Sequence, residues 1–402
     1  MLNVFYLSGG MWFIVLFLYS LGWADICIPL SDSTVFFVLF MIVSSIVLGY
    51  VLRKHFKFKK IQQNPHKHCT ITLILVAFYV VNLLYARSIP LLNVLRGQPK
   101  GVFSGIPTLS FVVSGFIFIY CFYLAYLFVC FKQKKILLEF LVTYMYFILL
   151  FERQNIIIIF LAFMWIWLAS INFKKLPGSV KALCVICMTI LILIALYVFG
   201  IMGNSRYGIW DSTDASMITE LGKINDKFPS FIPKSYAWAY IYAVSPLSNL
   251  QYNINLGVAA SNSTTDILRE FLPNFIFKRM VTGGAVVSEL LVSSLTACTA
   301  FSDVYRAGGG FFGMITLYFC EVLWVVFLIK LFNKNDVYRT PAYVSAIYFF
   351  LLSFFDNPIR YDMTSLIIVY QIIFGFYLLC KRSLVVGERG RMRQAAKNAV
   401  ER

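Results

Sequence analysis

Charge is what this sequence has least of: 13% of its 402 residues are Asp, Glu, Lys or Arg, against 60% that are hydrophobic. A soluble domain carries roughly 25% charged residues, so water-exposed enzymes, disordered scaffolds and disulfide-stapled secreted domains are excluded. Histidine is scarcer still, with His55, His66 and His68 all in one basic stretch between hydrophobic runs. That stretch reads as a solvated loop rather than a metal site, which leaves the opposite face of a membrane without an imidazole base. No GxxxxGK[ST] phosphate loop occurs, which argues against a nucleotide-driven pump. No repeat of 20–50 residues and no low-complexity tract interrupts the chain. The nine cysteines offer no metal framework. Cys184 and Cys187 imitate a CxxC pair inside an apolar run, and only Cys27 and Cys298 lie where an oxidising compartment reaches them.

What the sequence has is long apolar runs, at about 5–23, 34–52, 70–86, 105–131, 136–151, 155–172, 180–200, 307–332, 341–355 and 363–380. A helix needs roughly 20 apolar residues to span a bilayer, so the expected fold class is all-α, a polytopic integral membrane bundle of about ten transmembrane helices. The whole chain, 1–402, reads as one integral domain. Its first run follows no basic segment and is long for a cleavable leader, so it is expected to remain as the first span.

The net charge of +17 comes from 35 basic against 18 acidic residues. Of the 35, 22 fall in alternate connections, around 53–67, 132–135, 174–181, 330–339 and the tail 381–402. By the positive-inside rule these face the cytoplasm, with both termini. The excess base is therefore a topology signal and an inner-membrane lipid contact rather than a nucleic-acid footprint.

Two connections on the other side are longer than a hairpin needs. The first, 87–105, carries Pro90, Gly97, Pro99 and Gly101 as turn signals. The second, 200–306, is far longer than an ordinary connection and is the functional candidate. It is expected to contain short helices, with apolar stretches 236–250 and 284–298 open to interfacial or re-entrant placement.

The outer side is marked by arginine where the cytoplasmic loops use lysine: Arg87, Arg96, Arg153, Arg206, Arg269, Arg279, Arg306 and Arg360. A guanidinium is always charged and presents a planar donor fork suited to phosphate. The plainer alternative is that these arginines snorkel to headgroups or pair with Asp266, Glu270 and Asp362. Three acid/arginine groups, Glu152–Arg153, Asp303–Arg306 and Asp356–Arg360–Asp362, are placed to converge on one outer cavity. Aromatic and amide residues of the long loop, Tyr207, Trp210, Tyr236, Trp238, Tyr240, Tyr242, Asn249, Gln251, Tyr252, Asn253 and Asn255, suit sugar faces or, equally, an interfacial belt. Within the spans, Glu139 lies a turn from the cytoplasmic surface and is expected to snorkel, whereas Glu321 needs a partner inside the bundle or an ion-coupling role.

Ser88-Ile89-Pro90-Leu91-Leu92, followed by Gly105-Ile106-Pro107 at the head of a span, resembles the first outer loop of the Wzy-type O-antigen or oligosaccharide repeat-unit polymerases. Tyr242-Ala243-Val244-Ser245-Pro246-Leu247-Ser248-Asn249-Leu250 and Phe301-Ser302-Asp303-Val304-Tyr305 are similar to two further segments of that family. The resemblance implies a bacterial inner-membrane glycosyltransferase acting on the periplasmic side without cofactor or metal. It would move a growing glycan from undecaprenyl diphosphate onto another lipid-linked repeat unit. The expected partners are the undecaprenyl-diphosphate-linked oligosaccharide, inner-membrane lipids and a chain-length regulator protein.

For that chemistry Asp303 or Glu152 is the candidate base and Arg279 a catalytic cation. Arg206, Arg269, Arg306, Arg153, Arg360, Arg87, Tyr207 and Asn249 are the candidate substrate contacts. An O-antigen ligase would share the donor but is expected to carry an outer histidine. A lipid-linked oligosaccharide flippase would favour inverted repeats and buried coupling charges.

Overall fold

The computed structural model describes residues 3–62, 68–96, 98, 101, 103–171, 176–205, 216–259, 264–280, 287–332, 336–361 and 363–381. Among these the chain is helical, with a lone Ala24–Ile224 bridge and no strand. The helices are α1 (Val4–Ser20), α2 (Asp32–Val51), α3 (His68–Ala86), α4 (Pro90–Leu95), α5 (Leu109–Phe131), α6 (Lys134–Leu149), α7 (Arg153–Ser170) and α8 (Gly178–Ser205). They continue with α9 (Ser216–Leu221), α10 (Tyr236–Leu256), α11 (Thr264–Glu270), α12 (Asn274–Met280), α13 (Ala300–Val304), α14 (Gly310–Leu331), α15 (Arg339–Leu352) and α16 (Met363–Lys381).

Each of the ten apolar runs is a helix, and among the described residues six helices, α2, α3, α5, α8, the α13–α14 unit and α16, are long and apolar enough to cross a membrane. The shorter helix α15 lies at the centre, with every residue but Leu351 buried. At the opposite extreme α8 exposes its aliphatic side chains, eleven of them between Val180 and Val198. Hydrating these at about 1 kcal/mol for each half-exposed chain would offset most of a domain's stability of about 5–15 kcal/mol. The surface of α8 is therefore made for hydrocarbon.

Lysine-rich connections around His55, Lys59 and Arg339 meet at one end of the bundle. At the lysine-rich end Arg339 donates to the His55 carbonyl, the Tyr126 hydroxyl reaches the Lys59 carbonyl at 2.6 Å, and Phe56 packs edge-on against Tyr343. At the other end Asn82 closes the α4 loop, accepting from Ile106 N at 2.8 Å and donating to Ser110 Oγ at 3.1 Å. A side chain at Gly105 would collide with that amide, so the Gly105-Ile106-Pro107 turn needs its glycine.

The long loop departs from expectation. Its first apolar stretch is α10, 21 residues long and mostly buried although Pro246 sits inside it. Ser31 N donates to Gln251 Oε1 at 2.9 Å and Trp23 N to Tyr240 Oη at 3.0 Å, which lays α10 along the α1–α2 connection. Trp238, whose Nε1 donates to Asn204 Oδ1 at 2.6 Å, and Tyr240 are thus packing residues, neither belt nor sugar platform. The second stretch is non-helical over its described part, 287–298. Instead of a strand partner it has two amides. Asn253 exchanges hydrogen bonds with the Glu289 backbone at 2.8 and 2.9 Å, and Asn249 donates to Leu295 O and Ala297 O while accepting from Leu291 N. Backbone groups with no ladder must find such substitutes.

The expected snorkelling of Glu139 and the solvated placement of His68 are both corrected. Glu139 and His68 are 7% and 6% exposed, and His68 Nδ1 meets Glu139 Oε2 at 2.6 Å between α3 and α6. Thr72 Oγ1 adds a hydrogen bond to the same oxygen at 3.2 Å, and the Tyr120 hydroxyl donates to the His68 carbonyl. A buried carboxyl is tolerable only beside a close partner, and α3 supplies one in His68. His68→Ala is expected to destabilise the detergent-solubilised protein by about 2–4 kcal/mol. His68→Ala/Glu139→Gln should recover part of that loss in thermal unfolding, since the orphaned carboxylate is then neutral.

Candidate functional site

Glycine decides how the site enters the bundle. Between α13 and α14 the segment Tyr305–Gly309 forms a π-helical turn, and Gly308 and Gly310 adopt φ of 106° and 54°. Left-handed backbone here is open to glycine at no steric cost. The turn breaks what would be one continuous helix and lets α13 carry Asp303 at its own angle. Thr299 caps α13 by accepting from Ser302 N. Ala300 N donates to the Ser353 carbonyl at 2.9 Å, which docks α13 against the end of α15.

Asp303 and Arg360, expected in separate groups, meet: Arg360 Nη1 lies 2.6 Å from Asp303 Oδ2. The same nitrogen lies 3.2 Å from Glu270 Oε2, at the end of α11. Ser288, held by the amide-clamped segment, donates through N (3.1 Å) and Oγ (2.6 Å) to Asp303 Oδ1. Asn357 Nδ2 donates to the Glu270 carbonyl at 2.8 Å and to Glu270 Oε2 at 3.1 Å. Asn274 N, opening α12, donates to the Arg360 carbonyl at 3.2 Å. Four segments distant in sequence are thereby tied through one guanidinium.

Two further arginines border the cluster. Arg269, with its guanidinium over the Phe277 ring at 5.7 Å, is within electrostatic reach of Arg360, Glu270, Asp303 and Asp266. Burial, then the Arg360 charge, holds its pKa below the usual arginine value. Arg306, on the π turn that packs against α11, donates to Gly257 O at 2.6 Å. Its carbonyl accepts from Ala259 N. The outer turn is completed by Asp356, whose carboxylate accepts from Tyr361 Oη and Asn357 N. Burial raises the Asp356 pKa, and the carboxylates of Glu270, Asp303 and Asp356 hold that of Arg360 up despite its own desolvation.

Glu270 is the most displaced carboxyl of the group. Burial and the neighbouring Asp303 charge push its pKa up to about 7 from 4.5, against the pull of Arg360 and Asn357. Sequence reading placed it only as an arginine's partner. The available signal was an acid directly following Arg269 at the end of a short polar helix.

The other expected site residues lie as follows. Glu152 caps α7, with Oε2 accepting from Asn155 Nδ2 at 2.6 Å, and it shares electrostatic reach of Tyr348 with Asp356. The side chain of Arg153 and all of Arg206, Tyr207, Trp210 and Asp362 lie outside the described residues. Arg87, Arg96 and Arg279 are exposed. The side chain of Asn249 is engaged with backbone, supporting the segment that delivers Ser288. Glu321 is buried and accepts from the Ser353 hydroxyl, one turn from Asp356. Cys27 and Cys298 are free thiols. Among the described residues no group of three or more His, Cys, Asp or Glu is placed to hold a metal.

No protein-family model, curated protein or solved structure matches this chain.

The raised pKa of Glu270 has a thermodynamic consequence. The folded state holds the Glu270 proton up to about pH 7 and the unfolded chain releases it near 4.5. The folded state therefore binds more protons between those values, and stability falls as pH rises through that window. The contribution is about 3 kcal/mol at 1.36 kcal/mol per pH unit. In Glu270→Gln the slope of stability against pH should flatten between pH 4.5 and 7, read by chemical unfolding across that range. Arg360→Ala, which leaves two buried carboxylates without their shared cation, should cost about 3–5 kcal/mol.

Proposed function

We propose that this protein is a bacterial inner-membrane polymerase that joins undecaprenyl-diphosphate-linked oligosaccharide repeat units into O-antigen or a related surface polysaccharide. All ten apolar helices cross the bilayer in this reading, with both termini in the cytoplasm and the Arg360 cluster at the periplasmic face. The observation that carries it is the gathering of Arg269, Arg306 and Arg360 on adjoining segments at the end opposite the lysine-rich turns. A glycosyl diphosphate donor develops negative charge on its leaving oxygen. Preorganised guanidinium donors at a partly desolvated site stabilise that charge without reorganising. Arg269 and Arg306 each keep a buried Nε without a partner among the described residues and are the donor-binding cations. Arg360, committed to two carboxylates, positions the acids.

Within this reading the exposed Arg279, Arg87 and Arg96 meet headgroups or the outer part of the glycan rather than the reacting centre. The ligase alternative expects an outer imidazole, whereas His55 and His68 lie at the lysine-rich end. The flippase alternative has buried carboxyls in its favour, Glu139 and Glu321.

Incubation of the purified protein with lipid-linked repeat units, without nucleotide or added metal, is expected to give a ladder of longer glycans. Arg306→Ala should lower its rate by about 10²-fold, in line with loss of one charge-stabilising donor, while Glu321→Gln leaves it within about threefold. Repeat units that cross the vesicle membrane without growing would establish the flippase instead.

A further inference from the structure

Buried polar atoms in native proteins are nearly always hydrogen-bonded. Among the described residues nine buried side-chain atoms have no partner, and four of them, Arg269 Nε, Glu270 Oε1, Asn274 Oδ1 and Arg306 Nε, belong to α11, the head of α12 and the π turn. α11 packs against the π turn, and the head of α12 is tied to the Arg360 backbone. The remaining five, on Ser8, Glu139, Ser235, Trp324 and Gln371, are scattered over other helices and the turn before α10. One small region therefore holds two unpaired donors, both on arginines, and two unpaired acceptors, a set that suits a ligand carrying both negative charge and a hydroxyl.

The two oxygens of Glu270 differ. Oε2 is fixed by Arg360 Nη1 at 3.2 Å and Asn357 Nδ2 at 3.1 Å, and the same Asn357 nitrogen holds the Glu270 backbone carbonyl. Oε1 is unengaged in a residue 1% exposed. Asp303 has both oxygens occupied, by Ser288 and Arg360, and Glu152 is spent at the head of α7. A carboxylate with one oxygen anchored and the other buried without a partner is held as a positioned proton acceptor would be.

We propose that Glu270, through Oε1, takes the proton of the acceptor sugar's hydroxyl during glycosyl transfer, an inference that rests on the polymerase reading above. The acceptor oxygen forms a bond to the donor's anomeric carbon as its O–H bond breaks. The anomeric carbon–oxygen bond to the diphosphate breaks with it, and its electron pair leaves on the diphosphate beside Arg269 and Arg306. The proton moves to Glu270 and is then released to water. A carboxyl whose pKa is raised to about 7 can accept and release a proton near neutrality, whereas an ordinary carboxylate is too weak a base.

The test uses the full-length protein in proteoliposomes with lipid-linked repeat units, following ladder formation between pH 5 and 9. Glu270→Gln is expected to lose about 10²-fold or more in rate with repeat-unit binding within about threefold of wild type. Glu270→Ala should regain part of its rate on addition of formate. Wild-type rate should rise with loss of a single proton around pH 7, and the residual rate of Glu270→Gln should lack that rise. Asp303→Asn, which removes one of the charges holding the Glu270 pKa up, should slow the reaction and move the rise to lower pH without abolishing it. A wild-type ladder without the rise near pH 7 overturns the inference even if Glu270→Gln fails to fold. A ladder of near wild-type rate from Glu270→Gln overturns it alone and leaves the polymerase reading standing. No ladder from the wild-type protein overturns both.

Discussion

Arg360 is a cation that the fold has taken largely out of water and placed between two carboxylates, Asp303 and Glu270. A buried charge is tolerable only with close partners, so this contact governs where its neighbours go. Glu270 and Asp303 lie 90 and 57 residues before Arg360, on α11 and α13. To satisfy one guanidinium the chain must bring the long loop, the broken helix and the α15–α16 turn to one point. Further restraints support that point from outside. Asn357 fixes Glu270, Ser288 fixes Asp303, and the amides of α10 fix the segment that supplies Ser288. A polar network rigidifies where its members are satisfied, as both Asp303 oxygens and Glu270 Oε2 are here.

The apolar runs could be read directly because a spanning helix is encoded in consecutive residues, and all ten reappear as helices. The alternation of the lysine-rich turns is likewise a one-dimensional signal, and His55, Lys59 and Arg339 are found together at one end. α10 was harder to read. Its amides lower its hydropathy, yet they point inward and replace a missing β-partner, a role that no count of polar residues reveals. Glu139 departs from the snorkelling expectation for a related reason. A carboxyl a turn from the surface can snorkel or pair, and only the helix opposite, with His68 on it, decides.

The site was legible in kind but not in membership. Scarcity of acid made Asp303, Asp356 and Arg360 stand out, and Asp303 and Arg360 do meet. The importance of Glu270 arises from burial by chain lying far away in sequence, which sets both its proton affinity and the orientation of its free oxygen. The fold also retains unsatisfied polar atoms where a purely structural core would have removed them. Such local losses of stability are expected where binding requires them.

The glycine-rich break between α13 and α14 separates two demands that a continuous helix would impose jointly. Asp303 and Glu321 are 18 residues apart, or five turns at 3.6 residues each, so an unbroken helix would stack them on one face. With Gly308 and Gly310 in left-handed backbone, the two halves hold independent rotational phases. Changes in the length or twist of this joint can re-aim the carboxylate that meets Arg360 while the lipid-facing surface of α14 stays in register. The end of the molecule that holds Arg360 can thus change without disturbing the apolar surface of α14.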